Sequence, residues 1–446
     1  MKRKCLTILL TLTIVSGIMG CGQGDENSAK KDNAPISLGV KDNGDGTVTA
    51  IVAEYPMAEK LDGTLAGGIN QFAYDMTDTI LSKDESRNDN YVFSPYSICS
   101  ALTLLNNAAL GETQNQINLT MGISSLEEWN KQLQKYMNQP SVGDALLRSA
   151  NSLWLSDDYT PADRFYDTYY PLVDFYFDAE LFSADFDGKP EETTEQMNQW
   201  ISDATEGMIE DFIDMVDPST VLSMVNAVYF DGKWKLPFTA NATYEQTFYG
   251  TKGESKVQMM HQGETYFAYY EDEETGLKGI SLPYGEGETK VMNILLPLAD
   301  EEAVSNVGEL FYALDGKTKT GLLDKVMNAD KQLIATLALP KFSMKYTIED
   351  LPGKLQQMGI IDAFDPISAD LSYIGEDIYV SDASHMAKIE VDELGTKAAA
   401  VTVIGTEESA MMIENYIEFI VDRPFIFTIQ DKESGMILFM GQVNEL

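Results

Sequence analysis

Glu393-Leu394-Gly395-Thr396-Lys397-Ala398-Ala399-Ala400-Val401-Thr402 is the stretch on which the reading of this chain turns. Just before it, Ala387, Ile389 and Val391 alternate with Lys388, Glu390 and Asp392, the period of a strand with one buried face. After Gly395 come small residues, with no proline before Pro424. Such a run is too plain to hold a surface loop in one conformation. It is well suited to enter a sheet, because small and β-branched side chains fit between two existing strands. If Thr396 faces inward on entry, so do Ala398, Ala400, Thr402, Ile404 and Thr406, none of them charged. Lys397 falls on the other face with Ala399, Val401, Val403, Gly405 and Glu407. An unpaired buried charge is strongly disfavoured, so the pattern permits insertion. Taken alone, the stretch also reads as an ordinary strand or the start of an alanine-rich helix.

The N-terminus predicts export. Lys2, Arg3 and Lys4 precede an apolar run from Leu6 to Ile18 and then Gly20-Cys21, so residues 1–20 read as a signal peptide, too short to span a membrane. Ile18-Met19-Gly20-Cys21 resembles a bacterial lipobox, with Met19 bulkier than usual. The resemblance implies cleavage before Cys21 and its acylation, hence a lipid anchor in the bacterial membrane, the outer membrane or the cell surface. A soluble secreted protein cut at a neighbouring site is the alternative. Residues 21–57 are polar and read as a flexible tether, with a hairpin at Asp45-Gly46.

Residues 58–446 read as a single domain without repeats or internal linkers. The formal net charge is -40, and loss of the signal peptide makes it three units more negative. Nucleic acid and anionic lipid surfaces would repel such a chain. With 44% hydrophobic residues it can still bury a large core. Cys99 is the one thiol left after Cys5 departs and Cys21 is acylated, so there is no disulfide framework, and Cys99 reads as buried packing.

Ile69, Phe72, Ala73, Met76 and Ile80 share one helical face. Ser94-Pro95 reads as an N-cap with proline in the first turn of a helix running through Leu105. A further helix is predicted over 192–201. Val221 to Phe230, Val291 to Pro297 and Met436 to Val443 read as strands covered on both faces. Helices lead and strands follow, so the class is α+β.

Several motifs resemble those of the serpin family. They are Phe93-Ser94-Pro95-Tyr96-Ser97-Ile98, Ala108-x-x-Gly111-x-Thr113-x-x-Gln116-Ile117, and Asn198-x-Trp200-Ile201 with Thr205-x-Gly207-x-Ile209. Val225-Asn226-Ala227-Val228-Tyr229-Phe230-x-Gly232-x-Trp234, Leu339-Pro340-Lys341-Phe342 and Leu355-x-x-Met358-Gly359 follow, then Arg423-Pro424-Phe425-Ile426-Phe427. The ordered set, from Phe93 to Val443, is specific where no single motif is. It implies helices packed around three β-sheets, with a large central sheet and an exposed reactive-centre loop. Leu394 departs from the family's usual second glutamate, which would slow the start of insertion. Asn107 and Met386 are minor departures.

The resemblance also implies roles. Glu393, Gly395, Thr396, Lys397, Ala398, Ala399 and Ala400 would form the hinge. Ser94, Ser97, Asn226 and His385 would form the shutter, where two strands part. Trp234 would mark the breach, where insertion begins. Counting fourteen residues from Gly395 places the reactive bond at Ser409-Ala410, with Glu408 and Met411 as neighbouring choices. The implied activity is suicide inhibition of a serine protease, with an elastase-like or subtilisin-like target and papain-like cysteine proteases within range. A monomer is expected.

Enzyme chemistry finds little support. His261 and His385 are the only histidines, and no Gly-x-Ser-x-Gly elbow, metal-binding His-Glu-x-x-His or phosphate-binding loop is present, so no metal or other cofactor is expected. The competing readings are a non-inhibitory serpin that acts as a binding protein and an unrelated surface lipoprotein.

Overall fold

The computed structural model describes residues 58, 61–82, 88–138, 145–177, 179–298, 307–396 and 417–446, with the backbone of 11–12, 36–37, 40–42 and 48–50. Helix α1 (Gly63–Ile80) starts at Asp62, whose side chain accepts from the Thr64 N–H, and buries Ile69, Phe72, Ala73, Met76 and Ile80. Strand β1 (Tyr91–Phe93) leads into α2 (Pro95–Ala108). The Ser94 hydroxyl caps α2 by accepting from the Ser97 N–H at 3.1 Å. Because α2 is buried nearly all round, its exposed-type residues are few, and Cys99 lies fully inside. Helices α3 (Gly111–Met121) and α4 (Leu126–Met137) pack beside it.

Next come β2 (Ala145–Ser156), α5 (Tyr170–Phe177), β3 (Glu180–Ala184), α6 (Pro190–Ala204) and β4 (Leu222–Lys233). The later chain supplies β5 (Thr243–Gly250), β6 (Gly253–Asp272), β7 (Leu277–Tyr284), β8 (Lys290–Pro297), α7 (Val307–Tyr312) and α8 (Gly316–Met327). It continues with β9 (Lys331–Pro340), β10 (Phe342–Thr347), α9 (Leu351–Gln357), β11 (Val380–Val391) and β12 (Gly395–Thr396), then β13 (Ile417–Ile420), β14 (Phe425–Asp431) and β15 (Ile437–Val443).

The main sheet runs β10-β11-β12-β4-β2-β3, and Ile36–Ser37 adds to its edge opposite Phe182 and Ser183. The remaining strands form one nine-stranded path, β13-β9-β6-β7-β8-β14-β15-β1, with β5 on β6. The second and third sheets expected from the resemblance therefore share β6. The first part of this 20-residue strand pairs with β5, its last part with β7, and its middle with β9.

Strand β4 is covered on both faces, as its nearly continuous apolar run predicts. Met224, Val228 and Phe230 join the large core with α1 and α2. Val225 and Ala227 join a second cluster with Trp154, Phe182, Met386 and the Met197, Trp200 and Ile201 side chains of α6. Helix α6 thus lies across the main sheet. Asn198 holds its return segment, accepting from the Phe212 and Ile213 N–H groups at 3.0 and 2.8 Å and donating to the Ile213 carbonyl at 2.7 Å. Among the described residues no helix is long and apolar enough to cross a membrane. Two short strands, Val40–Asp42 and Val48–Ala50, pair antiparallel, and the predicted Asp45-Gly46 turn lies outside the described residues.

Candidate functional site

The site is the seam between β4 and β11, where the predicted hinge and shutter residues meet. Strands β4 and β11 run parallel and pair directly from Leu222 opposite Val380 to Tyr229 opposite Lys388. Above that level a third strand lies between them. Thr396 stands opposite Gly232 on β4 and Val391 on β11, and Gly395 stands opposite Lys233. Phe230, Asp231, Ile389 and Glu390 border the wedge between the directly paired region and β12.

Thr396, the predicted hinge residue, is therefore already seated between the two strands. It is 0% exposed, and its hydroxyl is 2.7 Å from the buried Tyr284 hydroxyl. That places it on the core side of the sheet, the inward face predicted for it. Gly395 must be glycine for want of room: a Cβ there would lie 2.1 Å from the Gly232 carbonyl oxygen. Asp392 shapes the turn, accepting from the Leu394 and Gly395 N–H groups at 2.8 and 3.2 Å. Glu393 pairs with Lys341 at 2.7 Å. Burial pushes the Glu393 carboxyl up, but its hydrogen bonds, with Lys341 foremost, and the Lys341 charge together outweigh burial and the net shift is downward.

Trp234 closes the top of the wedge. Its indole N–H donates to the Asp392 carbonyl at 2.9 Å, and its backbone N–H donates to the Leu394 carbonyl at 2.8 Å. The ring stacks on Tyr284, with centroids 4.5 Å apart and planes 13° from parallel, while Phe238 packs edge-on. Both backbone and side chain of Trp234 thus hold the segment that leads into Gly395 and Thr396.

Further down, His385 and Asn226 stand opposite each other across the directly paired strands. His385 Nε2 accepts from the Ser94 N–H at 3.2 Å, which leaves Nδ1–H to donate to Asn226 Oδ1. Asn226 Nδ2 reaches Ser97 Oγ and Asn151 Oδ1, each at 2.6 Å. Ser94 Oγ donates to the Leu438 carbonyl at 2.6 Å. All four predicted shutter residues are brought together, joining α2 to both strands and to β15. His385 is fully buried, and burial pushes its imidazole down to about 3, so it is neutral near neutral pH.

Among the described residues neither histidine is paired with a nucleophile. The His385 nitrogens are taken by a backbone N–H and an amide, while Ser94 Oγ is directed at a carbonyl. His261 stacks on Tyr244 at 4.2 Å, with Nδ1 near the Ala242 and Met259 carbonyls. Among the described residues no group of His, Cys, Asp or Glu could hold a metal ion.

Lys397, Ala398, Ala399, Ala400, Ser409, Ala410 and Cys21 lie outside the described residues. Tyr284 and Asn151 are absent from the sequence reading, and Asp392 and Lys341 enter it only within an alternation and a motif, with no role of their own. Only Asp392 carried a local signal, as an Asx acceptor two residues before a tight turn.

Comparison with known proteins agrees with this geometry. The family model described as Serpin (serine protease inhibitor) matches residues 68–446. An uncharacterized serpin-like protein of Thermococcus kodakarensis is 31% identical over 98% of both chains. Plasminogen activator inhibitor 1 of Neovison vison is 33% identical, over 81% of this chain and 88% of its own. The crystal structure of the thermophilic serpin tengpin in its native state superposes with a TM-score of 0.77 at 29% identity, covering 89% of this chain and 98% of that one.

Proposed function

The chain belongs to the serpin family, and from that premise we propose that it inhibits a serine-type endopeptidase as a suicide substrate. Family members are generally protease inhibitors rather than enzymes. The observation that carries the reading is Thr396, buried between β4 and β11 with direct strand pairing below it. Insertion need only continue downward from an end already in place.

The register fixes where each residue would go, because antiparallel pairing advances one residue on each strand per step. One step on from Thr396, Lys397 meets Asp231 on β4 and Glu390 on β11. Lys397, the one charge between Thr396 and Glu407, would thus acquire two carboxylates on the outer face. Three steps on, Ala399 comes level with Tyr229 and Lys388, which already face each other. Six steps on, Thr402 enters between Asn226 and His385, and nine steps on, Gly405 enters between Ser223 and Asp382. Counting independently down β4 and β11 reaches the same existing pairs each time. The new strand can therefore enter without either wall sliding.

Its entry replaces one parallel ladder by two antiparallel ones. Each hydrogen bond is worth about 1 kcal/mol net, but many form together. The intact state is held by kinetics. A protease that acylates itself on the loop would be carried with the moving end. Cleavage at Ser409-Ala410 would suit an elastase-like or subtilisin-like enzyme, whose first pocket accepts a small residue. Papain-like cysteine proteases also fall within the proposed range.

Incubation with subtilisin, elastase, chymotrypsin and papain tests the proposal. The expected products are SDS-resistant adducts and a nicked form that melts well above the intact one. A nicked form with an unchanged melting temperature and no adduct would overturn it. We also assign Cys21 as a lipid-bearing anchor of an exported protein. Cys21→Ser should move the protein from the membrane fraction to the soluble one, and retention in the membrane fraction would refute the anchor.

A further inference from the structure

The lower end of the β4–β11 seam opens into a cleft of about 430 Å³ under α6 and its return segment. That room lies within the range of small-ligand pockets, about 300–1,000 Å³. A bulge sets its floor. Val380 belongs to the large core and Met386 to the α6 cluster, although their even spacing would keep them on one face of a regular strand. The extra residue is Ser381, between Val380 opposite Leu222 and Asp382 opposite Ser223. Its Oγ accepts from the Val221 N–H at 2.8 Å. Asp382 and Ser384 are thereby turned to the α6 side, where Ser223 and Thr347 complete the floor. Met197 of α6 and Phe212, Ile213 and Met215 of the return segment form an apolar roof. Solvent reaches the cleft, for Met215 is 56% exposed and Asp217 and Thr347 are exposed as well.

The charge inside is of one sign. Asp214, Asp217 and Asp382 line the cleft, and no lysine, arginine or histidine does. Asp217 is occupied by its own turn, accepting from the Ser219 N–H and Oγ at 2.8 and 2.7 Å. Asp382 lies deeper. It accepts from Ser223 Oγ at 2.6 Å and meets no cation among the described residues. Burial raises its carboxyl above the ordinary value against the pull of the Ser223 hydroxyl, and the Asp217 charge adds to the rise. An ammonium group on this floor would form a charge-assisted hydrogen bond in a partly desolvated place, where it is stronger than in water.

We propose that this cleft binds a primary amine with an apolar body. The ammonium donates to Asp382, with the Ser384 and Thr347 hydroxyls as further acceptors on the same floor. The body lies under Phe212, Ile213 and Met215. Binding to the intact chain does not depend on the inhibitor reading, but one consequence rests on it. Gly405 would enter between Ser223 and Asp382, parting the pair on which the ammonium sits, so amine and inserted strand exclude each other.

Calorimetric titration of the intact chain with 2-phenylethylamine tests the site. Salt at about 0.15 M screens diffuse attraction to the formal net charge of -40. Saturable binding with a Kd of about 1 mM is expected for a ligand of this size. The neutral analogue 2-phenylethanol should bind about tenfold more weakly or worse. Asp382→Asn, which keeps an acceptor for Ser223, should erase the advantage of the amine, and Phe212→Ala should weaken both ligands. Glu273→Gln removes an exposed charge between β6 and β7 and should leave binding unchanged. Urea midpoints would confirm that each variant is folded. No saturation up to about 10 mM, equal binding of amine and alcohol, or unchanged affinity in folded Asp382→Asn would each overturn the proposal. A nicked chain that melts higher should bind the amine about tenfold more weakly or worse, and equal binding to it would overturn the exclusion. A nicked chain that melts no higher counts against the inhibitor reading alone, and the titration of the intact chain still decides the site.

Discussion

On the proposed mechanism, replacing Thr396 by arginine should turn the protein from inhibitor into substrate. The side chain at this position is 0% exposed, with its hydroxyl on Tyr284. Losing that bond costs about 1 kcal/mol. A guanidinium in the same place has no carboxylate partner on the core side, and a buried uncompensated ion costs about 3 kcal/mol or more. The chain avoids that cost by withdrawing the hinge from between β4 and β11. Insertion must then begin from outside the sheet, against a barrier higher by about 3 kcal/mol, which slows it about 100-fold. The acyl-enzyme would hydrolyse before the loop is seated. Densitometry of SDS gels over a range of subtilisin ratios would show the adduct almost gone and the nicked form accumulating. An adduct yield equal to that of the wild type would refute the reasoning. Thr396→Ser, which keeps the hydroxyl, should behave like the wild type.

Three other outcomes can be checked. His385 sits buried with its imidazole held down at about 3 against an ordinary 6.5, so stability is complete above 6.5 and falls as the pH drops through that window. The slope from this group is at most about 1.4 kcal/mol per pH unit; urea midpoints at pH 7 and pH 5 should differ more for the wild type than for His385→Asn, and equal differences would contradict it. Lys397→Glu would bring a third carboxylate to Asp231 and Glu390, costing up to about 1 kcal/mol and cutting adduct yield several-fold, more than Lys397→Ala does; the same gels decide. Substituting Ser409 should change which proteases are trapped, and mass spectrometry should place the cut within residues 408–412; a cut elsewhere rejects the count from Gly395.

What the sequence revealed follows from how local each signal is. The parity of Thr396 could be read because a strand repeats every two residues, and the Ser94 cap because it closes within three. The burial of β4 on both faces was legible because apolar residues run through it nearly continuously, broken only by Ser223 and Asn226 between Val221 and Phe230. Tyr284 was not, since its bond to Thr396 spans 112 residues. Asn151 and Leu438 meet the shutter residues Asn226 and Ser94 across 75 and 344 residues of chain. Strand β6 escaped notice because its neighbours change along its length, so no single alternation covers Gly253 to Asp272. The polar shutter residues could be grouped only by resemblance, because composition says nothing about which buried serine meets which histidine.

The seated Thr396 has a consequence for how such a molecule is used up. On the proposed mechanism, a cut at any bond beyond the hinge leaves the anchored end free to descend, whether or not the cutting enzyme is caught. Every careless nick is as final as a successful capture. The supply a cell must keep is then set by the total proteolytic traffic around it, and by no single adversary.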